Sequence, residues 1–355
     1  MEALVTTNYW RGRRVLVTGH TGFKGAWLVA LMHKLGAEVA GYSLDPPTTP
    51  NLFEQIGGAQ MCADHRGDIR DVARMSGVFR DFGPEHIFHL AAQPIVLAAR
   101  EHGIETVDTN VRGTACVLDV ARTTPSIRSI VSVTTDKVYR NSEWPWPYRE
   151  TDALGGHEPY GASKACAEII TEAWAHSFLE PLGMHTACAR AGNVIGGGDW
   201  AHSRLIPDFI RAWSSDRTLT IRSPNSIRPW QHVLEPLSGY VTYAQALAEH
   251  PVGLPRALNF GPRLEDAQSV VRVCALANRV VGGVVNVNVV GSDPKFESST
   301  LRLDSSLANS ALGWKPKLNL EQAISWTVGW YRDVSEGGNA RQSCLNQISE
   351  FLELC

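Results

Sequence analysis

Short β-branched and aromatic runs alternate along the first half of the chain with stretches whose apolar residues recur every three or four positions. Arg14-Val-Leu-Val-Thr18 predicts a buried strand, and residues 23 to about 35 predict the helix that follows it. Runs at 37–42, 87–90, 129–134 and 185–190 predict further strands, with another before Gly67. Helical spacing occupies about 70–82, 105–122 and 159–178. Strands alternating with helices imply βαβ units, hence an α/β fold with a doubly wound parallel sheet. Such sheets bind ligands beyond the carboxyl ends of their strands.

After about Asn193 the rhythm changes, and 192–232 is rich in Gly, Trp, Pro and Arg. A helix over about 233–248 and a strand at 256–261 read as a return to the first sheet. Helix, a valine-rich strand (284–290) and a helix near 319–333 follow; the tail after Ser335 is helix or loose end. The expected organisation is a first domain over 1–193, rejoined by 230–262. A smaller second domain takes 194–229 and 263–355.

Composition narrows the function. Lys and Arg number 33 against 36 Asp and Glu, so the chain lacks the basic excess of a nucleic-acid binder. No apolar run reaches the roughly 18–20 residues of a membrane span, and the opening does not read as a signal peptide. Seven scattered cysteines without a CxxC argue against a disulfide framework and a metal site, and for a reducing, cytoplasmic setting.

Gly19-His-Thr-Gly22-Phe23-Lys24-Gly25 lies where the first strand turns into its helix. Gly19 suits a tight turn, Gly22 close approach to a pyrophosphate, and Gly25 close helix–strand packing. The free amides of the helix start would hold the phosphates, so a dinucleotide site is expected. His20 either touches a phosphate or has no role. Asp45, about 20 residues on, is spaced to bind the ribose hydroxyls, which favours NAD over NADP. Asp68 and Ile69, after the third strand, are candidates for the adenine, with an N-cap role for Asp68 as the alternative.

Tyr160 and Lys164 form a YxxxK pair on one helix face. A tyrosine serves as a base near neutral pH only with help, and a nearby ammonium and a cationic nicotinamide favour its phenolate. Thr135 ends a strand and could bond the hydroxyl being oxidised. Asp136 and Lys137 beside it are an acid–base pair that simple hydride transfer does not need but an elimination does.

These motifs resemble the extended short-chain dehydrogenase/reductase family, a Rossmann-fold group. Within it the resemblance is to the 4,6-dehydratases acting on CDP-glucose, carried by GHTGFKGAWL (19–28), TDKVY (135–139), LGGHEPYGASKACAE (154–168), RAGNVIGGGDWA (190–201) and IRPWQHVLEPLSGY (227–240). It spans about 9–333. It implies tightly held NAD, C4 oxidation with Tyr160 as base, C5 deprotonation by Lys137, C6 hydroxyl protonation by Asp136, and hydride return to C6. It places Ala91, Ala92, Gln93 and Asn110 at the cofactor, and Asn193, Arg204 and Leu205 at the nucleotide sugar. Arg228, with Arg222 second, would hold the diphosphate, and a homodimer or dimer of dimers is implied. The chain departs from the family pattern at Ala99, Arg100, Ser203 and Leu307, which bears on the exact sugar. A 4-epimerase and a non-enzymatic NAD-sensing protein share the frame. The Asp136–Lys137 pair speaks against the first, and intact Thr135, Tyr160 and Lys164 against the second.

Overall fold

A computed structural model describes residues 7–215, 217–283, 285–291 and 299–355. Seven parallel strands form the central sheet: β1 (Arg14–Thr18), β2 (Glu38–Ser43), β3 (Ala63–Arg66), β4 (His86–His89), β5 (Ser129–Val133), β6 (His185–Ala191) and β7 (Ala257–Phe260). Their order is β7-β6-β5-β4-β1-β2-β3, so the chain winds outward in both directions from β1. The strands are apolar on both faces because both are covered. Val15 and Val17 of β1 enter one core while Leu16 enters the other, and Val131 and Ile130 of β5 divide the same way.

Helices α1 (Phe23–Lys34), α2 (Val72–Phe82), α3 (Gly113–Ala121) and α4 (Pro159–Trp174) come from the first half. Leu205–Ser214 forms α5, Leu234–Glu249 α6, Val270–Val281 α7, Leu320–Ser335 α8 and Ala340–Glu353 α9. Apolar side chains of α1, α6, α8 and α9 share one core, and those of α2 and α3 fill the other. The region expected to be helical over 105–122 is interrupted by a π-turn at Asp108–Arg112. A second π-turn, Ala175–Leu179, ends the helix that starts at Pro159.

The tail resolves as helix. Asn339 caps α9 by accepting from the Gln342 amide, and Cys344, Ile348 and Phe351 bury its inner face. That face packs against α1, so one continuous core crosses the boundary expected at 263. The valine-rich segment is a correction in part. Val287–Val289 pairs in parallel with Leu219–Ile221 in a separate two-stranded ribbon, exposed at all three positions, and Val284 lies outside the described residues. Three residues facing water give valine no core to fill, so its strand propensity produces only a short surface pairing.

Candidate active site

The carboxyl ends of β1, β4, β5 and β6 deliver the site residues together. After β1, Gly19 takes φ +76°, and a Cβ there would lie 2.6 Å from the Ala91 amide nitrogen beyond β4. A Cβ on Gly25 would lie 2.1 Å from the Gly19 carbonyl, so helix and turn touch backbone to backbone. Gly22 differs. A Cβ there would meet only the Gly19 carbonyl, at 3.4 Å, so the space beside it is open. Gly22 is also the N-cap of α1 and has no side-chain cap. The first amides of α1 thus have no side-chain cap from Gly22, and the clear space beside that glycine suits the turn to a pyrophosphate.

His20 does not face that space. Its ring is fully buried against Phe53 and Gly41, with Nε2 2.8 Å from Asp64, so it is part of the scaffold. Asp45 stands one residue past Leu44, whose carbonyl accepts from Thr21 of the glycine turn, and its carboxylate is open to solvent near Arg66. Asp68 is gripped by the Arg70 guanidinium, which also binds Asp108. The cap of α2 is Asp71, which accepts from the Arg74 amide, so Asp68 is not the N-cap. Ile69 is buried against Gly113 in the second core, which leaves only its backbone for a ligand.

Ala91, Ala92 and Gln93 are half-buried at the end of β4. Asn110 is buried, its Oδ1 accepts from the Gln93 amide, and its Nδ2 donates to the Gln93 carbonyl and Ser163. Its amide group thereby ties Gln93 to α4. The π-turn swings it to this place.

Glu158 caps α4 through the amides of Tyr160 and Gly161, and Pro159 sits in the first turn where no amide is missed. This fixes Tyr160 and Lys164 at the helix start, both buried. Lys164 Nζ donates to the Val133 carbonyl at 2.8 Å, and burial pushes its pKa down to about 8. Burial pushes Tyr160 up to about 12, opposed first by a Thr135 hydrogen bond and then by the Arg204 guanidinium. The expected phenolate is thus not favoured by the protein alone, because desolvation outweighs the neighbouring cations.

Thr135 opens a single helical turn, Asp136–Val138; it accepts from the Lys137 amide and donates to Asp136 Oδ1 at 3.0 Å. Asp136 is buried, and desolvation raises its pKa, resisted by Lys137, Thr135 and Arg228. Its Oδ2 has no hydrogen-bond partner among the described residues. A Cβ at Gly192 would lie 3.1 Å from that oxygen, so the glycine keeps the space beside it clear. A carboxyl group whose proton is held more firmly than usual, with one oxygen facing clear space, suits a general acid.

The second half supplies cations. Arg204 pairs with Asp199 at 3.0 Å and acts on Tyr160. Arg228 is buried within electrostatic reach of Asp136, whereas Arg222 is exposed, so the structure favours the former as an active-site group. Asn193 and Leu205 are half-buried at the ends of β6 and α5. Of the departures, Ala99 is buried in a short helix, while Arg100, Ser203 and Leu307 are exposed. Trp230 is core, and Trp200 is braced by Tyr331 and Gln55.

Sequence reasoning missed a buried network beneath the site. Thr134 donates to Glu168, which the Arg190 guanidinium holds with two nitrogens, and Arg190 reaches on to Tyr139 and the Glu150 carbonyl. Glu168 stands four residues after Lys164, on the same buried helix face, and that spacing was the available signal.

Comparison with known proteins shows the family and the fold. A family model described as GDP-mannose 4,6 dehydratase matches residues 16–327. The chain is 42% identical to a CDP-glucose 4,6-dehydratase of Salmonella typhimurium, over 98% of this chain and 99% of that protein. It is 28% identical to a probable dTDP-glucose 4,6-dehydratase of Sinorhizobium fredii, over 90% and 92%. In fold it is similar to a dTDP-glucose 4,6-dehydratase of Bacillus anthracis solved with NAD, with TM-score 0.77, 23% identity and coverage of 92% and 98%. It is also similar to a UDP-glucose 4-epimerase of Thermotoga maritima solved with UDP-glucose, with TM-score 0.78, 20% identity and coverage of 91% and 99%.

Proposed function

Because the chain belongs to the GDP-mannose 4,6-dehydratase family, within the extended short-chain dehydrogenase/reductases, we propose that it is a hydro-lyase converting CDP-D-glucose to CDP-4-dehydro-6-deoxy-D-glucose. The observation that carries the reading is the buried Asp136 carboxyl, one oxygen unpartnered among the described residues, next to Thr135 and in electrostatic reach of Tyr160. Acceptance of hydride from C4 and its return at C6 is the chemistry that bound NAD supplies, on the amides of the glycine turn.

The chain's own residues do the proton work. Thr135 orients the C4 hydroxyl, and Tyr160 takes its proton as C4 becomes a ketone. Thr135 and Arg204 oppose, without cancelling, the burial that holds the phenol protonated. The ketone acidifies the C5 proton, and Lys137 is assigned its removal. Asp136 gives its proton to the C6 hydroxyl, which leaves as water. Arg228 is assigned the diphosphate, for which a guanidinium fork is suited. Asn193 and the 194–208 segment are assigned the nucleotide sugar, and the active form is assigned as a homodimer or dimer of dimers.

The test is proton NMR of the purified protein with CDP-glucose in D2O, without and with added NAD. A 6-deoxy methyl signal with deuterium at C5 is expected. A 4-epimer retaining its C6 hydroxyl would replace the dehydratase reading with an epimerase. No turnover of any nucleotide-glucose would leave the non-enzymatic reading.

A further inference from the structure

The Thr135 hydroxyl has one hydrogen to donate and two lone pairs with which to accept. Its hydrogen goes to Asp136 Oδ1 at 3.0 Å, and the Lys137 amide occupies one lone pair at 3.3 Å. The Tyr160 phenol is hydrogen-bonded to the same hydroxyl. The place left on Thr135 is an acceptor's, so a protonated phenol donates into it. The chain of bonds therefore runs one way, from Tyr160 through Thr135 to Asp136, and all three side chains are buried. The second oxygen of Asp136 lies outside the chain, on the side that Gly192 keeps clear.

The proposed reaction leaves one proton out of place at the end of each turnover. Tyr160 gains the proton of the C4 hydroxyl, and Asp136 loses one to the departing water. The hydride goes out and returns, and the proton that Lys137 takes from C5 is replaced on C5. Only the tyrosine and the aspartate are left altered, one with a proton too many and the other with one too few. We infer that the Thr135 hydroxyl carries that proton from Tyr160 to Asp136, so that a single movement restores the base and the acid together and solvent takes no part. This rests on the dehydratase reading proposed above and goes beyond it.

The step balances within the chain. The phenol O–H bond breaks as the Thr135 oxygen gains that proton, and the Thr135 O–H bond breaks as Asp136 Oδ1 gains the other. No electrons change hands, and the two hydrogen bonds reverse direction. Rotation of the carboxyl group then brings its proton round to the clear side, where the C6 hydroxyl would stand. One negative charge is present before and after. Lys137 and Arg228 act on it at the Asp136 end and Arg204 at the Tyr160 end. Lys24, whose Nζ lies 3.3 Å from the Tyr240 hydroxyl, also faces Asp136. A second negative charge is resisted, because ionised Asp136 opposes ionisation of Tyr160. The two acids thus hold one proton between them, and Thr135 is the bridge.

The experiment compares wild type, Thr135→Val, Thr135→Ala and Thr135→Ser, each shown by calorimetry to bind NAD. Turnover of saturating CDP-glucose is followed at fixed pH and ionic strength while imidazole or formate, small proton carriers, is raised. In the Val and Ala variants kcat should fall about 10²–10⁴-fold and then climb with carrier concentration, because solvent must do what the hydroxyl did. Wild type and Thr135→Ser should stay within a few-fold of each other and ignore the carrier. A loss in the Val and Ala variants that no carrier relieves would reduce Thr135 to holding the substrate and overturn the inference. A wild-type kcat that itself climbs with carrier would overturn it too, and both results leave the dehydratase reading intact. A wild-type protein that turns over no nucleotide-glucose would overturn both.

Discussion

Replacing Arg190 with Met tests whether the buried network under β5 and β6 holds the catalytic turn in place. Arg190 and Glu168 are each 4% exposed, and the guanidinium meets the carboxylate through Nε and Nη2. It also donates to Tyr139 at 2.8 Å and lies over that ring. Removing it strands a buried carboxylate whose remaining partner among the described residues is the Thr134 hydroxyl. Breaking a buried pair in this way costs about 3–5 kcal/mol, and the lost Tyr139 contact adds about 1. Arg190→Met should therefore lose about 4–6 kcal/mol in equilibrium urea unfolding near neutral pH, followed by tryptophan fluorescence. In Arg190→Met/Glu168→Leu both charges are gone, and at least half of that loss should be recovered. Thr134 precedes Thr135, so the folded fraction of the single variant should lose kcat more than it gains KM. A single variant within about 1 kcal/mol of wild type, or a double variant no more stable than the single, would refute the reasoning.

Tyr160→Phe keeps the ring and deletes the acid–base group, so kcat should fall about 10²–10⁴-fold while NAD binding by calorimetry is unchanged. Asp136→Asn retains size but cannot protonate the C6 hydroxyl; mixing with CDP-glucose should build bound NADH absorbance without release of methyl product. Glu235, buried and accepting from the Lys317 and Leu318 amides, has its pKa raised by desolvation from 4.5 to about 7. The folded state then holds the extra proton, so this group's contribution to stability is full below 4.5 and is lost as pH rises through about 7. The loss is about 3 kcal/mol at 1.36 kcal/mol per pH unit. Glu235→Gln should flatten the decline in urea midpoint between about pH 5 and 8, and a decline as steep as wild type would assign it elsewhere.

Residues whose work is local were legible in the sequence. The Gly19–Gly25 turn, the Tyr160–Lys164 pair and the β-branched strands each depend on neighbours within a few positions. The Asn110 and Lys24 orientations were not, because each is decided by a partner far along the chain: Gln93 and Ser163 for one, Tyr240 for the other. The direction of the Tyr160 shift was also hidden, since spacing shows which charges are near but not how much water is excluded. The ribbon at Val287–Val289 shows the converse error, a strongly strand-like run with little to bury it.

The packing of α9 on α1 bears on how the protein is made. Trp27 and Met32 of the first long helix share one core with Trp330, Ile348 and Phe351. About 300 residues separate the two partners, so at roughly 5–20 residues per second the early helix leaves the ribosome tens of seconds before its cover exists. During that interval its apolar side is open to other nascent chains and to chaperones. Premature termination anywhere before α9 would release a chain whose first long helix lacks part of its cover, which makes α9 a late checkpoint in the assembly of this core.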